Sequence, residues 1–173
     1  VYYGTYYDTY AAIDTQGRAA SLRLKASGRE LLAAPAPLVT ALLADGRRLA
    51  ARRAACRGDT LTFAFPRDLG AAVIDVDTRR DLLSLTLRAL TLTNAASITF
   101  FSLPVSCCAY RGDMANMLSD DTDGVCLRGY DLPVEMALSG NTLSVSATAA
   151  HGFASLRAGL ADLFSRRPVW AGP

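Results

Sequence analysis

Between Thr60 and Val105 the chain alternates apolar and polar residues with a period of two, and this rhythm restricts its fold more than any other feature. Leu61, Phe63 and Phe65 are interleaved with Thr62 and Ala64. Ala72, Ile74 and Val76 are interleaved with Val73, Asp75 and Asp77, and Leu83, Leu85, Leu87 and Ala89 with Ser84, Thr86 and Arg88. Successive side chains of a strand point to opposite faces, so each run predicts a strand with one apolar face. Pro66 to Gly70 turn the chain, and Asn94 interrupts it before the next run, Ile98 to Val105. Strands at this spacing need a second sheet to cover their apolar faces. Several strands at this spacing mean a sandwich or a barrel, and the expectation taken forward is an all-β fold, an antiparallel two-sheet sandwich.

Other stretches extend the same reading. Val39 to Ala55 admits two readings: a helix, with Val39, Leu42 and Leu43 on one face among helix-favouring alanines and arginines, or a hairpin turning at Asp45-Gly46 between Leu38–Leu43 and Arg48–Arg53. Beyond Pro104, Arg111 to Gly124 reads as a polar loop. Strands are expected at Val125–Arg128, Pro133–Leu138 and Thr142–Thr148, with Ser139-Gly140-Asn141 turning between the last two. Leu160, Leu163 and Phe164 predict one short helix near the C-terminus, closed by Pro168.

Half of the 173 residues are hydrophobic (51 %) and 20 % are charged, which excludes a disordered chain. The length fits one β-sandwich domain over residues 1–173, large enough to bury roughly 70 % of its unfolded surface. A net charge of +2 gives no electrostatic case for nucleic acid. No apolar run approaches the ~20 residues of a membrane-spanning helix. The first residues lack the pattern of a signal peptide and there is no initiator methionine, so the chain reads as a piece of a longer polypeptide.

Residues suited to chemistry are few. Asp120-Asp121-Thr122-Asp123-Gly124 resembles a calcium loop, but with Gly124 sixth the twelfth position is Tyr130 and the bidentate Glu is missing. Asp120, Asp121 and Asp123 are thus weak metal candidates, and a solvated acidic turn is the simpler reading. A glycosidase would need two converging carboxylates, for which Asp113, Asp120, Asp121, Asp123, Asp131 and Glu135 are available. His151 is the one histidine, and no nucleophile elbow surrounds any serine. Cys56, Cys107, Cys108 and Cys126 lack the spacing of a zinc site. They read as small hydrophobes, with a bridge from Cys107 or Cys108 to Cys126 open in an oxidising compartment. Tyr3 and Tyr7 would share a strand face. With Trp170 they are candidates for contact with carbohydrate or a neighbouring domain.

The stretch Ile13 to Leu32 adds a resemblance. Leu22 and Leu24 share one face of a short extended run, bracketed by turns at Asp14-Thr15-Gln16-Gly17 and Ala26-Ser27-Gly28, after which Glu30 to Leu32 should pair back. The pattern Asp14-x-x-Gly17-x-x-x-Ser21-Leu22-x-x-Lys25-x-x-Gly28-x-Glu30-Leu31 resembles the opening of galactose-mutarotase-like supersandwich domains, which accompany the catalytic domains of many glycoside hydrolases and polysaccharide lyases. It covers about twenty residues and continues more loosely to about Val105, and Met114 to Leu138 resembles the continuation seen in N-terminal domains of bacterial putative glycoside hydrolases. The resemblance implies a non-catalytic accessory domain of a bacterial carbohydrate-active enzyme, shaping the carbohydrate site of a following catalytic domain. It implies a secreted or periplasmic setting; no cofactor is expected, and charge and hydropathy give no expectation of a nucleic-acid or membrane partner. A full supersandwich is longer than this chain, and a freestanding carbohydrate-binding module is the alternative.

Overall fold

A computed structural model describes residues 2–6, 9–79 and 82–161. In chain order its strands are β1 (Tyr2–Tyr6), β2 (Thr9–Ile13), β3 (Arg18–Leu24), β4 (Ala36–Pro37), β5 (Thr40–Leu43) and β6 (Arg48–Ala50). There follow β7 (Arg53–Arg57), β8 (Thr60–Ala64), β9 (Ala71–Arg79), β10 (Leu82–Leu90), β11 (Ala95–Pro104) and β12 (Tyr110–Gly112). The last are β13 (Met117–Ser119), β14 (Gly124–Gly129), β15 (Val134–Ser139), β16 (Thr142–Thr148) and β17 (Leu156–Ala161). They form an eight-stranded sheet in the order β12-β13-β14-β17-β10-β9-β8-β7 and a five-stranded sheet in the order β15-β16-β11-β5-β6. A smaller sheet, β1-β2-β3-β4, completes the architecture. Every strand pairing in these sheets is antiparallel. The fold is the all-β sandwich that the period-two runs demand.

The alternating residues do what their spacing requires. Leu61, Phe63, Ile74 and Leu87 of the larger sheet, and Ile98, Phe100, Leu143 and Val145 of the five-stranded one, are completely buried in one core. The smaller sheet joins that core through Ala11, Ile13, Ala19 and Leu22. An apolar crevice of about 30 Å³ remains where the three sheets meet, between Ile13, Leu22, Leu83, Leu85, Phe101 and Leu103.

The corner around β3 is fastened by polar groups. The Asp14 carboxylate accepts the N–H groups of Gln16 (2.9 Å) and Arg18 (3.0 Å), closing the turn in which Gly17 adopts φ +75°. A Cβ on Gly17 would also lie 3.2 Å from the Phe63 ring. On the return, Leu31 N–H donates to Leu22 C=O (2.7 Å), yet Glu30 and Leu32 form only isolated bridges, to Arg23 and Val105. The Glu30 carboxylate fills the gap, accepting the N–H groups of Leu22 (2.7 Å) and Leu32 (3.0 Å) and the Ser21 hydroxyl.

Two expectations are corrected. The helix predicted through Leu160 is instead strand β17, with Leu156, Ala158 and Leu160 buried and Arg157 exposed, paired to both β10 and β14. Pairing on both edges overrides the local spacing from which the helix is expected; Leu163, Phe164 and Pro168, the other residues of that expectation, lie outside the described residues. The stretch from Arg111 to Gly124 holds most of β12, a 3-10 turn at Asp113–Ala115 and β13, elements of three residues each and too short to show a period. Of the two readings of Val39 to Ala55, the hairpin at Asp45-Gly46 is the one that forms, joining β5 to β6.

Candidate functional site

The acidic turn is organised around one arginine. Arg29, from the β3 corner, reaches across more than ninety residues of sequence to donate to Asp123 (2.6 Å) and, from its other nitrogen, to Asp120. Asp120 also accepts the N–H groups of Thr122 and Asp123, both at 2.9 Å. The Arg29 guanidinium, helped by these backbone donors, holds the Asp120 carboxyl well below its ordinary range. Asp121 turns away to accept the Tyr110 hydroxyl at 2.6 Å, which raises the pKa of that phenol. The three carboxylates therefore do not point to a common centre. Among the described residues no three of His, Cys, Asp and Glu gather as metal ligands would.

The other carboxylates weighed for glycoside hydrolysis are dispersed. Asp113 pairs with Arg111 (2.7 Å), and Asp131 accepts the Arg157 backbone N–H (2.6 Å), while Glu135 stands exposed on β15. Asp120 and Asp123 do share a site, but a general acid needs a raised pKa and Asp120 has a lowered one. His151 is exposed at the end of a 3-10 turn, Ala149–His151. All four cysteines are free thiols. Cys107 and Cys126 are buried, and burial pushes the Cys107 thiol up to about 11, whereas Cys56 and Cys108 are exposed.

Tyr3 lies on β1 opposite Ala12, with its side chain outside what the structure describes. Tyr7 and Trp170 also lie outside the described residues.

What the fold assembles instead is a contrast between the two long sides of the sandwich. On one side β6 and β7, terminal strands of different sheets, follow each other directly, and the chain crosses from sheet to sheet at Ala51-Arg52. On the other, β12 ends the eight-stranded sheet and β15 the five-stranded one. Arg111 closes that gap, donating from β12 to the carbonyls of Leu138 (2.7 Å) and Gly140 (3.4 Å). Gly129 of β14 lies so close beneath β15 that a Cβ there would fall 2.6 Å from Val134 Cγ1.

Five large apolar side chains are exposed on this second side. They are Tyr110, Met114, Tyr130, Leu132 and Met136, of which Met114 (97 %) and Leu132 are essentially bare. Elsewhere among the described residues only Leu69 is comparably exposed. Asn116, at the entry to β13, is 1 % exposed, with Nδ2 donating to Leu127 C=O (2.7 Å) and, more weakly, to Ser144 C=O (3.5 Å). Sequence reasoning passed over these residues because each is unremarkable in its own window. Comparison with protein-family models, curated proteins and solved structures finds no match to this chain.

Proposed function

We propose that this chain is a non-catalytic β-sandwich module that packs against the catalytic domain of a carbohydrate-active polypeptide through its β12/β15 side. The observation that carries the proposal is the concentration of exposed apolar side chains between residues 110 and 136, on the side where both sheets end. Exposed apolar surface costs free energy in water and is removed by a partner. Leucine and methionine outnumber the aromatics there, which suits protein packing better than stacking on sugar rings. The supersandwich resemblance of Asp14 to Leu31 supplies the kind of partner.

The test begins with the intact mass of the native polypeptide from its source, expected well above the 18.4 kDa of this chain. Hydrogen exchange should then be slower at residues 110–116 and 130–136 in the native polypeptide than in the 173-residue chain. A native mass of 18.4 kDa, or equal exchange in the two, overturns the docking reading. The first outcome, joined to retention of the chain by a neutral polysaccharide, would establish the freestanding sugar binder.

A further inference from the structure

The opposite side carries a different signal. Arg48 on β6, Arg52 at the crossing, and Arg53 and Arg57 on β7 are all exposed, and no acidic residue occurs between Asp45 and Asp59. Several arginines elsewhere are matched: Arg18 with Asp14, Arg29 with Asp120 and Asp123, Arg88 with Asp75, Arg111 with Asp113, Arg157 with Asp131. Arg23, Arg67 and Arg128 also make no ion pair among the described residues, but they lie on three separate elements. Arg47, at the margin, is held by Asp45 at 2.7 Å. The four at this corner make no ion pair among the described residues.

Their placement is linear. Ala54 points into the core, so Arg53 and Arg57 lie on the outer face of the eight-stranded sheet, about 13 Å apart along the strand. Leu49 packs inward, which sets Arg48 on the outer face of the other sheet, and Arg52 lies between. Beside Arg52 opens a cleft of about 220 Å³ lined by Gln16, Arg18, Pro37, Ala50 and Ala51. A row of guanidinium groups thus passes around the edge of the sandwich, with an amide and a cleft at its middle.

We infer that this corner binds a linear acidic polysaccharide through its carboxylate or sulfate groups. Guanidinium forks match such oxyanions two bonds at a time. A folded protein is a poorer fit, because β6, β7 and the link between them expose no large apolar side chain to anchor an interface. Strand addition is obstructed as well, since Ala54 N–H already donates to Thr15 C=O at 2.9 Å. Single-stranded nucleic acid would call for stacking aromatics, and β6, β7 and the lining of the cleft contain none. The inference does not depend on docking through the β12/β15 side.

Affinity electrophoresis of the 173-residue chain tests it, in gels containing polygalacturonate, heparin, dextran or duplex DNA. Retardation is expected in polygalacturonate or heparin and absent in dextran, the stronger of the first two identifying the anion as carboxylate or sulfate. Binding should weaken tenfold or more between about 50 and 200 mM salt, as counterion release requires. The charge reversal Arg53→Glu with Arg57→Glu should lose tenfold or more in affinity. Arg23→Glu with Lys25→Glu changes net charge equally, on exposed positions of the β3 corner, and should lose little. Circular dichroism of both variants checks their folding. No retardation in either acidic polysaccharide, equal losses in the two double variants, or tighter binding to duplex DNA would overturn the inference.

Discussion

The two sides of this sandwich solve the same problem in opposite ways. Each presents the unpaired edges of two sheets, which are templates for adding another strand. The β6/β7 side covers part of its edge with the Thr15 carbonyl and surrounds the rest with arginines. The β12/β15 side exposes Met114, Leu132 and Met136 and relies on Arg111 to join its edges. Charge repels every partner except an acidic one, whereas exposed apolar surface is stable only once covered. The first side is selective and the second is incomplete, which is why the docking proposal belongs to the second.

If the second side is held internally by a few polar residues, breaking one should cost far more than any change at the arginines. The largest effect is expected at Asn116. Its backbone is left-handed, φ +50°, and its buried amide binds carbonyls of β14 and β16 while Oδ1 has no partner among the described residues. Asn116→Ala removes those bonds and keeps the Cβ in a left-handed conformation without the polar group that lets asparagine tolerate it, for a loss of about 2 kcal/mol. Asn116→Gly keeps the backbone and should cost about 1 kcal/mol. Urea unfolding of both variants decides; equal losses would mean that backbone conformation has no part in the effect.

A smaller effect is expected at the salt bridge that ties the β3 corner to the same side. Arg29→Ala leaves Asp120 and Asp123 facing each other without a counter-charge and should cost about 1 kcal/mol, moderated because Arg29 is one-third exposed. The native pKa of Asp120 lies below its unfolded value, through the Arg29 guanidinium. Its contribution is therefore complete above the ordinary carboxylate range near 4 and disappears as pH falls through the native value. Stability measured from pH 6 downward should fall steeply below about 4 in the parent chain and less steeply in Arg29→Ala. Parallel acid limbs would show that the bridge contributes nothing.

How much of this could be read from the sequence depends on the range of each interaction. The strands from Thr60 to Val105 were legible because burial on one face imposes its period on neighbouring residues. β17 was misread because its pairing comes from β10 and β14, far away in sequence, while its leucine spacing is local. The acidic turn was visible but its purpose was not, since Arg29 lies more than ninety residues upstream. Asn116 gave no signal at all, its role depending on carbonyls of two distant strands. The arginines of β6 and β7 were plain in the sequence. Their grouping was not, because only the fold shows them lined up along one edge with no ion pair among the described residues.

The smallest effect on stability should come from those arginines, and it sharpens the comparison most. Arg53→Ala with Arg57→Ala removes two exposed charges that make no ion pair among the described residues and leaves the packing of Ala54 untouched. The unfolding free energy should change by less than about 0.5 kcal/mol. Self-association should nevertheless increase, because a less charged β7 no longer repels the same edge of another copy. Light scattering over a concentration series, beside urea unfolding, separates the two roles. A loss near 1 kcal/mol with no added scattering would make the arginines structural, and the two sides of the sandwich would then differ only in composition.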